Sequence, residues 1–190
     1  MAILDIRVLG DPILREETQV VAEVTDETRQ LIDDMFETMY AAHGIGLAAP
    51  QVGRRERVAV VDVDGAKYAL VNPTVVESAG AKEKGEEGCL SIPDVYSDVV
   101  RPARVTLRAL DRDGQEFEVV ADGLLARCFQ HEIDHLHGKL FLDYLSVLKK
   151  RAALNQWAKE KEHYPGFIRT IVPGEEEGDE RRSRHPEEEL

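Results

Sequence analysis

Leu124-Leu125-Ala126-Arg127-Cys128-Phe129-Gln130-His131-Glu132-Ile133-Asp134-His135 is the stretch on which the reading of this chain turns. The sequence predicts a helix from Gly123 to about His137, closed by Gly138, a residue type suited to the position just past a helix end. Inside it stands an H-E-x-x-H pattern. At about 100° per residue, His131 and His135 project from nearly one face, one turn apart, where two imidazoles can hold one metal ion. Glu132 stands beside them, within reach of a water on that ion. The bland alternative is a pair of histidines on a solvated helix face.

A catalytic metal site needs a third protein ligand and an open position for water. The H-x-x-G-x-x-H continuation of one group of zinc proteases is missing, because His137-Gly138-Lys139-Leu140 follows. His137 itself lies about 200° around the helix from His135. Two cysteines remain. Cys128 shares the face of His131, yet it is seven residues from His135, about 10 Å along the axis, and reads better as a small buried apolar residue. Cys89, in Gly85-Glu86-Glu87-Gly88-Cys89-Leu90-Ser91-Ile92-Pro93, is expected in a loop from which it approaches the helix from the side, with Gly88 permitting close backbone approach.

Outward from this centre, Thr25 caps a helix predicted over 26–42, with Asp26 and Glu27 in its first turn and Leu31, Met35 and Met39 on a core-facing stripe widened by Phe36 and Tyr40. Gly44-Ile45-Gly46-Leu47-Ala48-Ala49-Pro50-Gln51 follows as a small-residue apolar loop ending in an amide. Val58–Val63 and Lys67–Val71 flank Asp64-Gly65, a two-residue hairpin signal, and alternating strands at 104–108 and 116–119 flank a second turn. Residues 80–95, rich in Gly, Glu and Lys, read as the loop that carries Cys89. A third helix of weak apolar periodicity starts at Ser146. These elements predict a single-domain α+β fold, with antiparallel sheets packed around a central metal-binding helix, over residues 1–165.

The 190 residues are 43% hydrophobic and 32% charged, near the globular average, and no run of 18 apolar residues marks a membrane span. No secretory signal is visible at the start, and two cysteines do not make a disulfide framework, so a cytoplasmic setting is expected. The net charge of −13 opposes non-specific contact with nucleic-acid phosphates, and no direct DNA binding is expected. Residues 173–190 carry eight acids against three arginines and almost no apolar residue, and are expected to form a solvated, disordered tail.

The residues converge on a known family. Gly44-Ile45-Gly46-Leu47-Ala48-Ala49-Pro50-Gln51, Glu87-Gly88-Cys89-Leu90-Ser91 and Gln130-His131-Glu132-Ile133-Asp134-His135-Leu136 resemble, in order, the three motifs of the peptide deformylases. Gly10-Asp11-Pro12-Ile13-Leu14-Arg15 and Gly138-Lys139-Leu140-Phe141 look similar too, so the resemblance spans roughly residues 3–150. It implies a monomeric metallo-hydrolase that removes the N-formyl group from the first methionine of nascent polypeptides and releases formate. It implies Cys89, His131 and His135 as metal ligands, with Fe(II) as the physiological ion and Zn(II), Ni(II) or Co(II) as substitutes. Glu132 would be the general base and acid, Gln51 and the backbone N–H of Leu90 would stabilise the oxyanion, and Ile45, Gly46, Gly88, Arg127 and Cys128 would border the substrate.

Three features depart from the family pattern. Tyr96 stands where many bacterial members carry an arginine that contacts the substrate backbone. Arg127 replaces an apolar residue of the methionine pocket, and its stem is expected to line the pocket while the guanidinium reaches water. The third helix carries Lys149, Lys150, Arg151, Lys159 and Lys161, which suit the transient ribosome contact known in some members, but the acidic tail opposes contact with RNA. Two rivals stand beside this reading. One is a metalloprotease with a different third ligand, recognised by cleavage of internal peptide bonds. The other is a non-catalytic peptide-binding relative, which the presence of Gln51, Cys89, His131, Glu132 and His135 argues against.

Overall fold

A computed structural model describes residues 2–172, and the acidic segment 173–190 lies outside the described residues. Strand β1 (Ile6–Arg7) leads through a short 3-10 turn to helix α1 (Asp26–Ala41). The Thr25 hydroxyl accepts the Thr28 N–H at 3.3 Å, and Thr28 reaches back to the Thr25 N–H, closing the predicted helix start. Leu31, Ile32, Met35, Phe36 and Met39 are buried. Tyr40, expected on this stripe, sits at its edge: it stacks on Phe36 and donates its hydroxyl to Asp62 at 2.6 Å.

Strands β2 (Gly46–Ala48), β3 (Val58–Val63), β4 (Ala66–Cys89), β5 (Ile92–Leu110) and β6 (Glu116–Asp122) form one antiparallel sheet in chain order, with β2 at an edge. Asp64 and Gly65 take positive φ values of 53° and 81°, as their two-residue turn requires. The expectation for residues 80–95 is corrected. They form a continuous ribbon in which β4 runs up to Cys89 and pairs with β5 from Val71↔Leu110 to Cys89↔Ile92. Lys82, Glu83, Lys84 and Glu86 face solvent, while Ile92, Val95 and Val99 from the other arm are buried beneath. Burial by the partner strand overrides the weak strand preference of Glu, Lys and Gly.

Helix α2 (Gly123–Leu136) packs on β2, β3 and β5 and ends at Gly138, whose φ is 67°. Phe129 and Leu136 join Val61, Leu70 and Leu107 in one core cluster, and α1 covers a second built on Val58, Val60 and Val71. Helix α3 (Val147–Glu160) is capped by Ser146 and buries only Ala153 and Trp157, which explains its weak periodicity. The chain then turns back, and strand β7 (Ile168–Arg169) pairs antiparallel with β1. The folded body therefore runs beyond the boundary of 165 read from the sequence, which a two-residue strand held by distant partners does not reveal. None of the helices among the described residues is long and apolar enough to cross a membrane.

Candidate active site

Helix α2 packs against the sheet and supplies five of the predicted site residues, Arg127, Cys128, His131, Glu132 and His135. Cys89 Sγ lies 3.2 Å from His135 Nε2, which lies 3.2 Å from His131 Nε2. The ligand atoms of Cys89, His131 and His135 all fall within 4.8 Å of one another. Cys89 reaches this point from the last position of β4, not from a loop. Cys128 stays outside the cluster. It is 5% exposed, its thiol faces the Ile45 carbonyl at 3.5 Å, and burial raises its pKa well above the ordinary thiol value.

Three lone-pair donors packed this closely need a positive charge among them. The Glu87 carboxylate accepts the His131 Nδ1–H at 3.0 Å, which leaves the Nε2 lone pair facing Cys89 and His135. In His135, burial disfavours the charged ring and holds the pKa well below the ordinary imidazole value. The donor set of one thiolate and two imidazoles fits a divalent transition metal.

Glu132 is 4% exposed, and its Oε2 has no hydrogen-bond partner among the described residues. Burial raises its pKa to about 7. Its Oε1 lies against Gly46, where a Cβ would overlap that oxygen and approach Cys128 Sγ to 2.8 Å, so glycine is required there. Gln51 is 1% exposed; its Oε1 accepts the Ala48 N–H at 2.8 Å, which turns the amide nitrogen toward Ser91 Oγ at 3.2 Å and Cys89 Sγ at 3.6 Å. Leu90 follows Cys89 in the tight β4–β5 turn and packs its side chain on Gly44. Ile45 is half-exposed on the edge before β2, and Gly88 lies under the exposed Tyr96 ring.

Behind the cluster is a buried ionic network that the sequence did not reveal. Arg101, 4% exposed, donates Nε to Glu87 at 2.5 Å, Nη2 to the same carboxylate at 2.9 Å and Nη1 to Asp134 at 2.8 Å. Asp134 in turn accepts the Tyr144 hydroxyl at 2.8 Å. Burial would raise the Glu87 pKa, but the hydrogen bonds from Arg101 and His131 bring it down to about 2. Asp134, set between the two histidines, and Glu87, two residues before Cys89, carry a faint sequence signal, whereas Arg101 carries none. Arg127 belongs here too, which corrects the expectation that its guanidinium reaches water. Nη1 donates to Glu87 at 2.9 Å and to the Val99 carbonyl at 3.0 Å, and Nη2 donates to the Glu83 carbonyl at 2.9 Å. Gly85 makes room, since a Cβ there would sit 2.9 Å from the guanidinium.

The model of the polypeptide deformylase family matches residues 3–151. The chain belongs to the polypeptide deformylase family. A peptide deformylase of Alkalilimnicola ehrlichii is 57% identical over 155 residues, covering 80% of this chain and 86% of that protein. One from Pseudomonas aeruginosa is 53% identical, covering 79% of this chain and 91% of its own. The crystal structure of a Legionella pneumophila peptide deformylase superposes with a TM-score of 0.82 at 47% identity, over 85% of this chain and 97% of that one. A Synechococcus elongatus peptide deformylase in complex with actinonin gives a TM-score of 0.79, also at 47% identity, over 82% and 86%. The deformylase fold is thus matched over most of both chains.

Proposed function

We infer that this chain hydrolyses the N-formyl group from formylmethionine at the start of newly made polypeptides and releases formate. The observation that carries this is the convergence of Cys89 Sγ, His131 Nε2 and His135 Nε2 beside a buried Glu132 oxygen without a partner among the described residues. Cys89, His131 and His135 would hold a divalent cation, which would supply Lewis acidity enough to bring the pKa of a bound water from about 16 toward neutrality. Fe(II) is the physiological ion in this reading, and Zn(II), Ni(II) or Co(II) substitute on donor chemistry.

Glu132 takes the water's proton and delivers it to the departing methionine nitrogen, since an amine leaves badly unless protonated. As the formyl carbon becomes tetrahedral, charge grows on its oxygen. The Gln51 amide and the Leu90 N–H donate to that oxygen, and such donors are worth about 3 kcal/mol each in comparable sites. The peptide lies along the open edge of β2, bonding Ile45 and Gly46, with Gly88 on the opposite rim; the edge position of β2 supports this. Cys128 contributes to the pocket floor, and Arg127 borders it through its stem while its guanidinium holds Glu87. The enzyme acts in the cytoplasm as a monomer on nascent chains, with transient ribosome contact through the exposed bases of α3.

The test is formate release from a formyl-Met tripeptide by anaerobically purified protein, with elemental analysis of its metal. The acetyl analogue should be inert, because a tight site excludes any acyl group larger than formyl on steric grounds. Cleavage of blocked peptides at internal bonds only would favour the protease reading instead.

A further inference from the structure

The family model ends at residue 151, yet the chain continues through α3 and returns to the catalytic half of the molecule. Arg169, in β7, is 7% exposed and donates Nη1 to the carbonyl of Leu90 at 3.2 Å. The same return segment reaches the next residue by a second route. Val8 N–H donates to the Phe167 carbonyl at 3.0 Å, and Leu9 N–H donates to the Ser91 carbonyl at 2.8 Å. Trp157 Nε1 holds the Leu9 carbonyl at 3.2 Å, and the Phe167 ring fills the space over Gly10. Two successive carbonyls of the β4–β5 turn are therefore held, one by the terminal strand and the other by the segment which that strand grips.

We propose that Arg169 is a positioning residue for deformylation: its guanidinium fixes the Leu90 carbonyl and so aims the Leu90 N–H at the oxyanion. The proposal rests on the reading of that N–H as an oxyanion donor. The two peptide groups of Leu90 share one Cα, so anchoring its carbonyl restricts rotation of its N–H. Gln51 grips the turn from the other side through Ser91 Oγ at 3.2 Å. A guanidinium is suited to this task because it is always charged, carries five donors in a rigid fork and sheds water more readily than an ammonium. Donors that are already aimed need no reorganisation during the reaction, and displacements of an ångström cost as much as 10²-fold in rate.

The test uses the full chain loaded with metal. Arg169→Met keeps the apolar stem and removes the donors, Arg169→Lys restores one, and Ile168→Ala weakens the same strand without touching the guanidinium. Arg169→Met should lower kcat roughly tenfold while KM and metal content stay within about twofold. Amide exchange in residues 89–92 should quicken, and Arg169→Lys should recover most of the rate. Ile168→Ala should lower Tm with kcat near the parent value. Unchanged exchange in Arg169→Met would overturn the clamp itself. Faster exchange with an unchanged kcat would overturn the reading of Leu90 as a donor. A kcat loss that Ile168→Ala reproduces at equal Tm would assign the effect to folding and also overturn the proposal.

Discussion

Helices α2 and α3 are each 14 residues long, and the chain uses them in opposite ways. Helix α2 buries six residues, among them Glu132 and His135, and touches all five strands of the main sheet. Helix α3 buries two, and its first residues Val147 and Leu148 are 84% and 80% exposed. The first helix is held along its length because it must present charged and metal-binding groups where water is excluded. The second is held at a few points: Trp157 on Leu9 and Tyr164, and Gln156 on the Asp94 carbonyl. Tolerance to substitution should follow the same division.

The largest effect belongs to Glu132. Glu132→Gln keeps the shape and the three ligands, so metal content should match the parent while kcat falls roughly 10³-fold. Steady-state kinetics with elemental analysis decide it. Near-normal turnover would remove Glu132 from the proton-handling role. The paired measurement is Cys89→Ala against Cys128→Ala: the first should lose the metal, the second should retain it.

Next comes the network under α2. Glu87→Gln deprives buried Arg101 and Arg127 of a shared carboxylate and leaves Arg101 with Asp134. Removing one partner from a buried ion pair costs about 3 kcal/mol or more, and loss of the group that orients a ligating histidine costs about 10-fold to 100-fold in metal affinity. Denaturant unfolding and a competitive chelator titration measure the two separately. Retained affinity with lowered stability would reduce Glu87 to a fold residue.

What the sequence made legible follows from the range of the forces involved. Helix α1 is written locally, in Thr25, the first-turn acids and the Leu31, Met35, Met39 stripe, and the Asp64-Gly65 turn is likewise local. His131, Glu132 and His135 are legible because one turn of helix fixes their geometry without knowledge of the rest. Residues 80–89 misled because their exposed positions are mostly Glu and Lys, while the buried apolar residues of the ribbon, Ile92, Val95 and Val99, stand on the other arm. Arg101 and Arg169 carry no local mark in the sequence. Their burial depends on Glu87 across the ribbon and on Leu90, 79 residues away, and no periodicity encodes a partner at that distance.

On α3 the contrast can be sharpened within one helix. Trp157→Ala removes its buried anchor and should cost about 3 kcal/mol, whereas Leu148→Ser should stay within about 0.5 kcal/mol. Neither should change kcat by the factor expected at Glu132. A stability loss at Leu148 comparable with that at Trp157 would mean the exposed start of α3 packs in solution.

A modest, pH-dependent effect lies at the joint between the two helices. Asp143, in the short turn joining them, accepts Arg15 Nη1 at 2.5 Å, the Leu140 N–H at 3.0 Å and Lys150 Nζ at 3.2 Å. Partial burial pushes its carboxyl up, but these partners outweigh it and hold the pKa below the ordinary aspartate value. A carboxyl lowered in the folded state stabilises at every pH above its unfolded value, and that contribution disappears as pH falls through the folded value. Partly exposed pairs of this kind contribute no more than about 1 kcal/mol. Asp143→Asn should therefore be less stable than the parent by up to that amount at pH 7, with the gap closing as pH falls below the ordinary aspartate range. Taking the difference between the two proteins cancels the titration of every other carboxylate. A gap that persists unchanged in acid would show that the asparagine disturbs the turn itself rather than its charge.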